Sequence, residues 1–224
     1  MTMDNLRRRL INLGCGPHVS KTSWDDYDGS WNVLASRLPM GLGLLSRKLL
    51  GHKGDGYPQH VQYLNVKRAL PFADRSVDAV YFSHLLEHLH LDEGRRLLIE
   101  CHRVLRAGGV IRIVVPDTEH FLDSYRGDRA SGSDACLNLN RNLSYRPLVG
   151  KTGLLRSLYT AATDFHSHKF MYDRPFLSEC LRVAGFEAIS EANYGHSRIA
   201  EIEQVELRER LNPGLGFGFE AVRP

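Results

Sequence analysis

Leu10-Ile11-Asn12-Leu13-Gly14-Cys15-Gly16 is an apolar run that breaks abruptly into two glycines separated by one small residue. We read it as the first strand of a parallel sheet, ending in a loop whose backbone passes very close to a ligand. Gly14 and Gly16 suit that loop because, lacking a Cβ, they tolerate positive φ and leave amides bare to a nucleotide-sized group. Such a turn also opens ordinary dinucleotide-binding units, so by itself it selects no ligand.

Downstream, Trp24-Asp25-Asp26-Tyr27-Asp28 follows too soon for a long helix to intervene. The spacing predicts a short turn and a brief second strand ending near Asp28, whose carboxylate would accept both hydroxyls of a ribose. A solvated acidic loop is the other reading of three aspartates in four positions. A nicotinamide dinucleotide prefers G-x-G-x-x-G opening a long helix, and the third glycine position here is Val19.

Beyond it, Val61-Gln62-Tyr63-Leu64-Asn65-Val66 predicts a third strand and Val77 to His84 a fourth. Leu85 to Leu105 predicts a helix with an apolar stripe through Leu89, Leu97, Leu98, Ile99, Val104 and Leu105, stopped by Gly108-Gly109. Val110 to Val115 reads as a buried fifth strand with Pro116-Asp117 at its exit. Pro175 to Ala184 reads as a helix, Gly185 to Ile189 begins a sixth strand, and Gly216 to Val222 forms a seventh. The alternation predicts an α/β fold: one Rossmann-like, seven-stranded, mostly parallel sheet with flanking helices, an antiparallel last strand and inserted lid segments. We expect residues 1–224 to form one domain, with 33–60 and 126–168 as insertions or lid.

Composition narrows the class. The chain has 224 residues, 42% hydrophobic and 25% charged, and a formal net charge of +3. That balance permits an anionic substrate but lacks the concentrated cationic face of a nucleic-acid binder. Cys15, Cys101, Cys136 and Cys180 have no C-x-x-C or zinc-finger spacing and read as free thiols of a reducing compartment. Met1 to Arg9 lacks the apolar core of a secretory signal, and no run reaches the roughly 20 apolar residues that span a bilayer. A cytoplasmic protein is expected. Leu34 to Leu50 mixes leucines with Arg37, Arg47 and Lys48 and could rest on a membrane surface, although Pro39, Gly41 and Gly43 break it as a helix. Gly51 to His60 reads as a loop.

Gly14-Cys15-Gly16, Leu70-Pro71-Phe72, Ser83-His84-Leu85-Leu86-Glu87-His88-Leu89 and Val104-Leu105-Arg106-Ala107-Gly108-Gly109-Val110 together resemble the class I S-adenosylmethionine-dependent methyltransferases, particularly the small bacterial type-11-like enzymes. The resemblance implies S-adenosylmethionine as cofactor and S-adenosylhomocysteine as product. It puts the methionine part over Gly14, Cys15 and Gly16, the ribose on Asp28, and adenine beside Asn65 and Val66. Many relatives carry Asp where Asn65 stands, which costs a charge-assisted bond. Ser83 and His84 would border the methyl group.

Methyl transfer from a sulfonium needs alignment, and a base where the acceptor is a hydroxyl or amine. His84, His88, His166 and His168 are candidates; we expect His88 or His166 to assist, with Asp117 as an orienting carboxylate. Some methyltransferases of this superfamily hold a divalent cation with Glu-x-x-Glu-His. Here His84 replaces the first Glu, and on a regular helix Glu87 and His88 would stand roughly 100° apart, so no metal is expected. The acceptor is expected to be a small molecule or saccharide-like compound methylated on O or N, with no nucleic acid involved. The alternative is a non-catalytic S-adenosylmethionine-binding module with a partner or regulatory role. Oligomeric state is not legible.

Overall fold

A computed structural model describes residues 8–17, 19, 21–37, 56–132, 134–143, 167–212 and 214–224. Seven strands form one sheet: β1 Leu10–Leu13, β2 Asp25–Asp28, β3 Gln62–Tyr63, β4 Val77–Ser83, β5 Leu105–Pro116, β6 Glu187–Glu191 and β7 Gly216–Val222. Their order is β3-β2-β1-β4-β5-β7-β6. β1 to β5 run parallel, and β7 runs antiparallel to both β5 and β6. The expected fold is thus present, with β7 as its single reversed strand. The described helices are α1 Trp31–Ala35, α2 Leu91–Val104, α3 Thr118–Ser131, α4 Ala135–Asn142 and α5 Arg174–Val183.

Successive strand residues point to opposite faces, and both faces are apolar here. Ile11, Leu13, Val80, Phe82, Ile111 and Ile113 pack with Leu97, Leu98 and Cys101 of α2 and Leu177 and Leu181 of α5. Leu10, Ala79, Tyr81, Val110 and Val114 meet Trp24, Ile199 and Ile202 on the other side. This burial on both faces is why the central strands read as continuous apolar runs rather than alternating ones.

A buried charged group interrupts the second face. Arg112, in mid-β5, is fully buried with all five of its N–H donors directed at acceptors. Nε and Nη2 bond the two carboxylate oxygens of Glu206 at 2.7 and 2.8 Å. Nη1 bonds Glu220 at 3.2 Å and the His196 carbonyl at 3.0 Å, and Nη2 also bonds the Asn193 carbonyl at 2.9 Å. Glu220 in turn accepts from Ser197 Oγ and from the Arg198 amide. The group ties the loops after β6 to the sheet.

Two expectations need correction. The helix expected over Leu85–Leu105 begins only at Leu91 and ends at Val104. His84 has φ +53°, Leu86–His88 is one 3-10 turn, and Leu89 is extended, so the backbone leaves β4 by a sharp bend. Glu93 Oε2 accepts from the His90 amide at 3.0 Å and closes the true helix start. Ile99, assigned to the buried stripe, is 55% exposed. Residues 126–131 and 135–142, read above as part of an inserted lid, are helical; residues 144–166 of that segment lie outside the described residues, as do residues 38–50 of the possible membrane-facing stretch and 51–55 of the loop after it. No described helix is long and apolar enough to cross a membrane. The four cysteines are unpaired, as expected.

His102 of α2 meets Phe186 edge-on, with ring centroids 5.3 Å apart. Burial, and then the charge of Arg223, holds its imidazole below the ordinary value. The unfolded chain takes up a proton that the folded chain resists, so this contribution to stability is full above pH ~6.5 and lost as pH falls below it. Urea midpoints on either side of that pH should differ less in the His102→Gln variant than in the wild type; an unchanged difference would remove His102 from the acid sensitivity.

Candidate active site

The carboxyl ends of β1, β2, β4 and β5 converge where the strand order reverses, between β1 and β4. In open parallel sheets that is where ligands bind. The chain leaves β1 through Gly14 at φ +66° and Gly16 at φ +73°, a conformation in which side-chain-bearing residues are strained. A Cβ on Gly14 would lie 2.9 Å from Leu85 Cδ1, whereas nothing lies within 4 Å of the corresponding position on Gly16. The first glycine permits close packing and the second faces open space.

The loop's amides are not bare. Gly14 N and Cys15 N both donate to Tyr27 O, at 2.8 and 3.2 Å, and Gly16 N donates to Asp28 Oδ2 at 3.0 Å. Asp28 Oδ1 accepts from Ser30 N at 2.8 Å. The turn therefore offers a ligand close backbone approach, while the Asp28 carboxylate is held in place with lone pairs to spare. The Tyr57 phenol lies beside Asp28 and Ser30, where burial, and then the Asp28 charge, pushes its pKa up. Cys15 packs toward Val33, Tyr57 and Val61, and burial, with Asp28 and Asp26 nearby, pushes its thiol up, which makes it an unreactive wall.

Asn65 and Val66 follow β3. Asn65 Oδ1 accepts from Lys67 N at 3.0 Å, closing a turn, and Val66 is buried in the core. Ser83 is buried with its hydroxyl unpaired, and its carbonyl accepts from Arg210 Nη1 at 3.2 Å.

After β4 the bend at His84 gathers a cluster that no regular helix would make. Glu87 is fully buried, and neither carboxylate oxygen receives a hydrogen bond. His84 Nδ1 lies 3.2 Å from Glu87 Oε1 and His88 Nε2 lies 3.9 Å from it. The segment Ser167–Tyr172 closes over this cluster, because Lys169 N and Phe170 N donate to the Glu87 carbonyl at 2.7 and 3.3 Å. Tyr172 packs against α2, where a Cβ on Gly94 would come 2.7 Å from its hydroxyl. His168 thereby meets His88, ring centroids 5.0 Å apart. Burial, with His88 and His84 adding to it and Glu87 opposing, lowers the His168 pKa. His88 Nδ1 sits 3.2 Å from the Ser167 carbonyl. A carbonyl only accepts, so Nδ1 carries the proton and Nε2 presents its lone pair toward Glu87.

The remaining expected residues fall elsewhere. Asp117 Oδ1 accepts from Glu119 N and His120 N at 3.2 and 3.3 Å, capping α3, and Oδ2 lies 3.1 Å from Arg174 Nη2. That carboxylate orients a helix and an arginine, and among the described residues it bonds none of the four candidate histidines. His166 lies outside the described residues. Tyr57 carried no signal in the sequence, and Glu87 entered only within the Ser83–Leu89 stretch and the metal motif.

Compared with known families, residues 12–113 match the family described as "Methyltransferase domain". No curated protein matches the sequence. Among solved structures, a SAM-dependent methyltransferase from Thermotoga maritima is similar at 17% identity, covering 96% of this chain and 82% of that one, with a TM-score of 0.49. A Haloferax volcanii complex containing the Trm112 methyltransferase activator is similar at 15% identity, 97% and 83% coverage and a TM-score of 0.48. A SAM-dependent methyltransferase from Archaeoglobus fulgidus is similar at 16% identity, 96% and 86% coverage and a TM-score of 0.42.

Proposed function

We propose that this chain, whose residues 12–113 match the methyltransferase-domain family, is a class I, S-adenosylmethionine-dependent methyltransferase that methylates an oxygen or nitrogen of a small-molecule or saccharide-like acceptor bound beside the His84–His88 bend. The observation that carries this reading is the cluster of buried Glu87 with half-buried His88 and His168 at the carboxyl end of β4, next to the glycine turn.

The cofactor is S-adenosylmethionine, and the residues present fit it. Gly16 leaves open space where a side chain would stand, and Asp28 ends β2 with a carboxylate fixed by two amides. Gly14, Cys15 and Gly16 would hold the methionine part by close backbone approach, and Asp28 the ribose hydroxyls. Asn65 and Val66 would border adenine; the Asn65 oxygen already engaged by Lys67 N keeps one lone pair for the adenine amino group. When bound, the group supplies a methyl already activated on a positive sulfur. The protein's part is to align the acceptor and ease its proton away. Ser83 and His84 would line the space near the methyl. His88, its tautomer set by the Ser167 carbonyl, would take a proton at Nε2. Tyr172 and Phe170, packed on each other at 4.9 Å between ring centroids, back the segment that covers the cluster. We keep His166 as a second assisting candidate. Asp117 serves the reading through Arg174 and the start of α3, which it holds at the rim.

Titration calorimetry with S-adenosylmethionine and S-adenosylhomocysteine tests the cofactor site. Wild-type protein should bind both. Asp28→Ala removes charge-assisted bonds worth about 1.5–3 kcal/mol and should weaken S-adenosylhomocysteine about 10–100-fold, with the circular dichroism melt still cooperative. Unchanged affinity would remove Asp28 from the site. Labelled S-adenosylmethionine with a metabolite pool should yield a methylated product; cofactor binding with no product would favour the non-catalytic module instead.

A further inference from the structure

We propose that Glu87, His88 and His168 form a site for one divalent transition-metal ion, with an open position that takes the acceptor's oxygen or nitrogen. One donor atom from each of the three lies within 4.8 Å of the other two. The expectation of no metal rested on a regular helix, and the backbone from His84 to Leu89 is not one.

Three features of the cluster point to an ion rather than to a structural contact. Glu87 is 0% exposed with both oxygens outside any hydrogen bond; its near neighbours are imidazole nitrogens, His84 Nδ1 at 3.2 Å and His88 Nε2 at 3.9 Å from Oε1, and a buried carboxylate without hydrogen bonds is costly unless a cation compensates it. His168 Nδ1 is also buried and unpaired. His88 has the arrangement of a metal ligand: one ring nitrogen is turned outward onto a backbone carbonyl, which leaves the other bare toward the carboxylate. Its Nε2 is 3.9 Å from Glu87 Oε1, against roughly 3.4 Å between neighbouring ligands of a tetrahedral ion with bonds of about 2.1 Å, so a small inward turn of the rings suffices. Two imidazoles and one carboxylate select zinc, cobalt or manganese over magnesium or calcium, and three protein ligands leave a coordination position free. Lys169 N and Phe170 N on the Glu87 carbonyl fix the two halves of the site to each other.

The ion's use in transfer rests on the methyltransferase reading. An acceptor O–H on the open position becomes more acidic, and its proton leaves to His84 or water. The oxygen lone pair then forms the new C–O bond as the C–S bond breaks, its electron pair remaining on sulfur. His88 in this reading holds the ion, whose charge does the acidifying.

The experiment is calorimetry of metal-stripped protein with Zn2+, Co2+ and Mg2+, with the visible absorption of the Co2+ form as a second readout. Wild type should bind one Zn2+ or Co2+ per chain and show a cobalt band with nitrogen ligands, with Mg2+ binding far weaker. Glu87→Gln and His168→Asn should each weaken Zn2+ at least about tenfold and shift the cobalt band, while S-adenosylhomocysteine still binds. If Glu87→Gln fails to fold, His168→Asn decides alone. Absence of stoichiometric Zn2+ or Co2+ binding, or variants that bind as wild type does, would overturn the site. Zinc bound with no S-adenosylhomocysteine bound would instead sink the methyltransferase reading and leave the metal site standing.

Discussion

Arg112→Met should cost about 3–5 kcal/mol of stability, because it strands two buried carboxylates whose charges the guanidinium compensates. Glu206 is fully buried and Glu220 nearly so, and neither can reach water when the arginine is gone. A domain of this kind has only about 5–15 kcal/mol in hand, so the variant should unfold at a much lower urea concentration or accumulate as insoluble protein. The control is the same substitution with Glu206→Leu and Glu220→Leu added. Replacing the whole buried group by apolar side chains removes the stranded charges and should recover most of the lost stability. If the single variant melts within about 1 kcal/mol of wild type, Arg112 is not holding the loops after β6 to the sheet. Cofactor affinity is a poor readout for this variant, since the network lies on the sheet face away from α2.

The second large effect is at the turn. Gly14→Val should abolish S-adenosylhomocysteine binding, with affinity lower by more than about 100-fold, or about 2.8 kcal/mol. Two independent strains meet there. At φ +66° a side chain costs roughly 1–2 kcal/mol, more for a β-branched one, and the new Cβ runs into Leu85 Cδ1 at 2.9 Å. Rotation of Leu85 eases the contact at Cδ1 but leaves its Cβ at 3.3 Å, and the backbone strain is relieved by moving the loop between β1 and β2, which carries Gly16 and its bond to Asp28. Gly14→Ala combined with Leu85→Ala separates the two causes: it removes the collision and keeps the backbone strain, so it should bind between wild type and Gly14→Val. Calorimetry showing Gly14→Val within threefold of wild type would mean that the ligand does not lie at this turn. Leu85 also begins the bend that carries Glu87 and His88, so the same contact couples the glycine turn to the histidine cluster.

Much of this was legible in the chain. The strand β1 with its glycine turn and the buried run of β5 follow from local chemistry, since apolar runs bounded by glycine and proline admit few other readings; the early β2 ending at Asp28 followed from spacing alone, with an acidic loop as its other reading. The helix start after β4 was misplaced because Leu85 to Leu105 has a plausible helical period throughout. What shortens it is His84 at positive φ and the Glu93 bond to the His90 amide, and periodicity registers neither. The bare amides expected at Gly14 to Gly16 turned out to be bonded to β2, since strand pairing claims donors that a single-strand reading leaves free. Asp117, expected as an orienting carboxylate from its place after β5, was drawn to Arg174, which lies 57 residues on.

By itself, then, the sequence determined the alternation of strands and helices, the doubly covered sheet, and the positions of the glycine turn after β1 and of the aspartate that ends β2, because each depends on residues close together in the chain. Only the tertiary structure decided that Glu87 and His88 would meet His168 across 79 residues of separation between His88 and Ser167, and that Arg112 would find Glu206 and Glu220. Those partners are chosen by which segments the sheet order brings side by side. A buried charge must be matched by whatever lies opposite it, and that neighbour is a property of the packed fold and not of the adjoining residues.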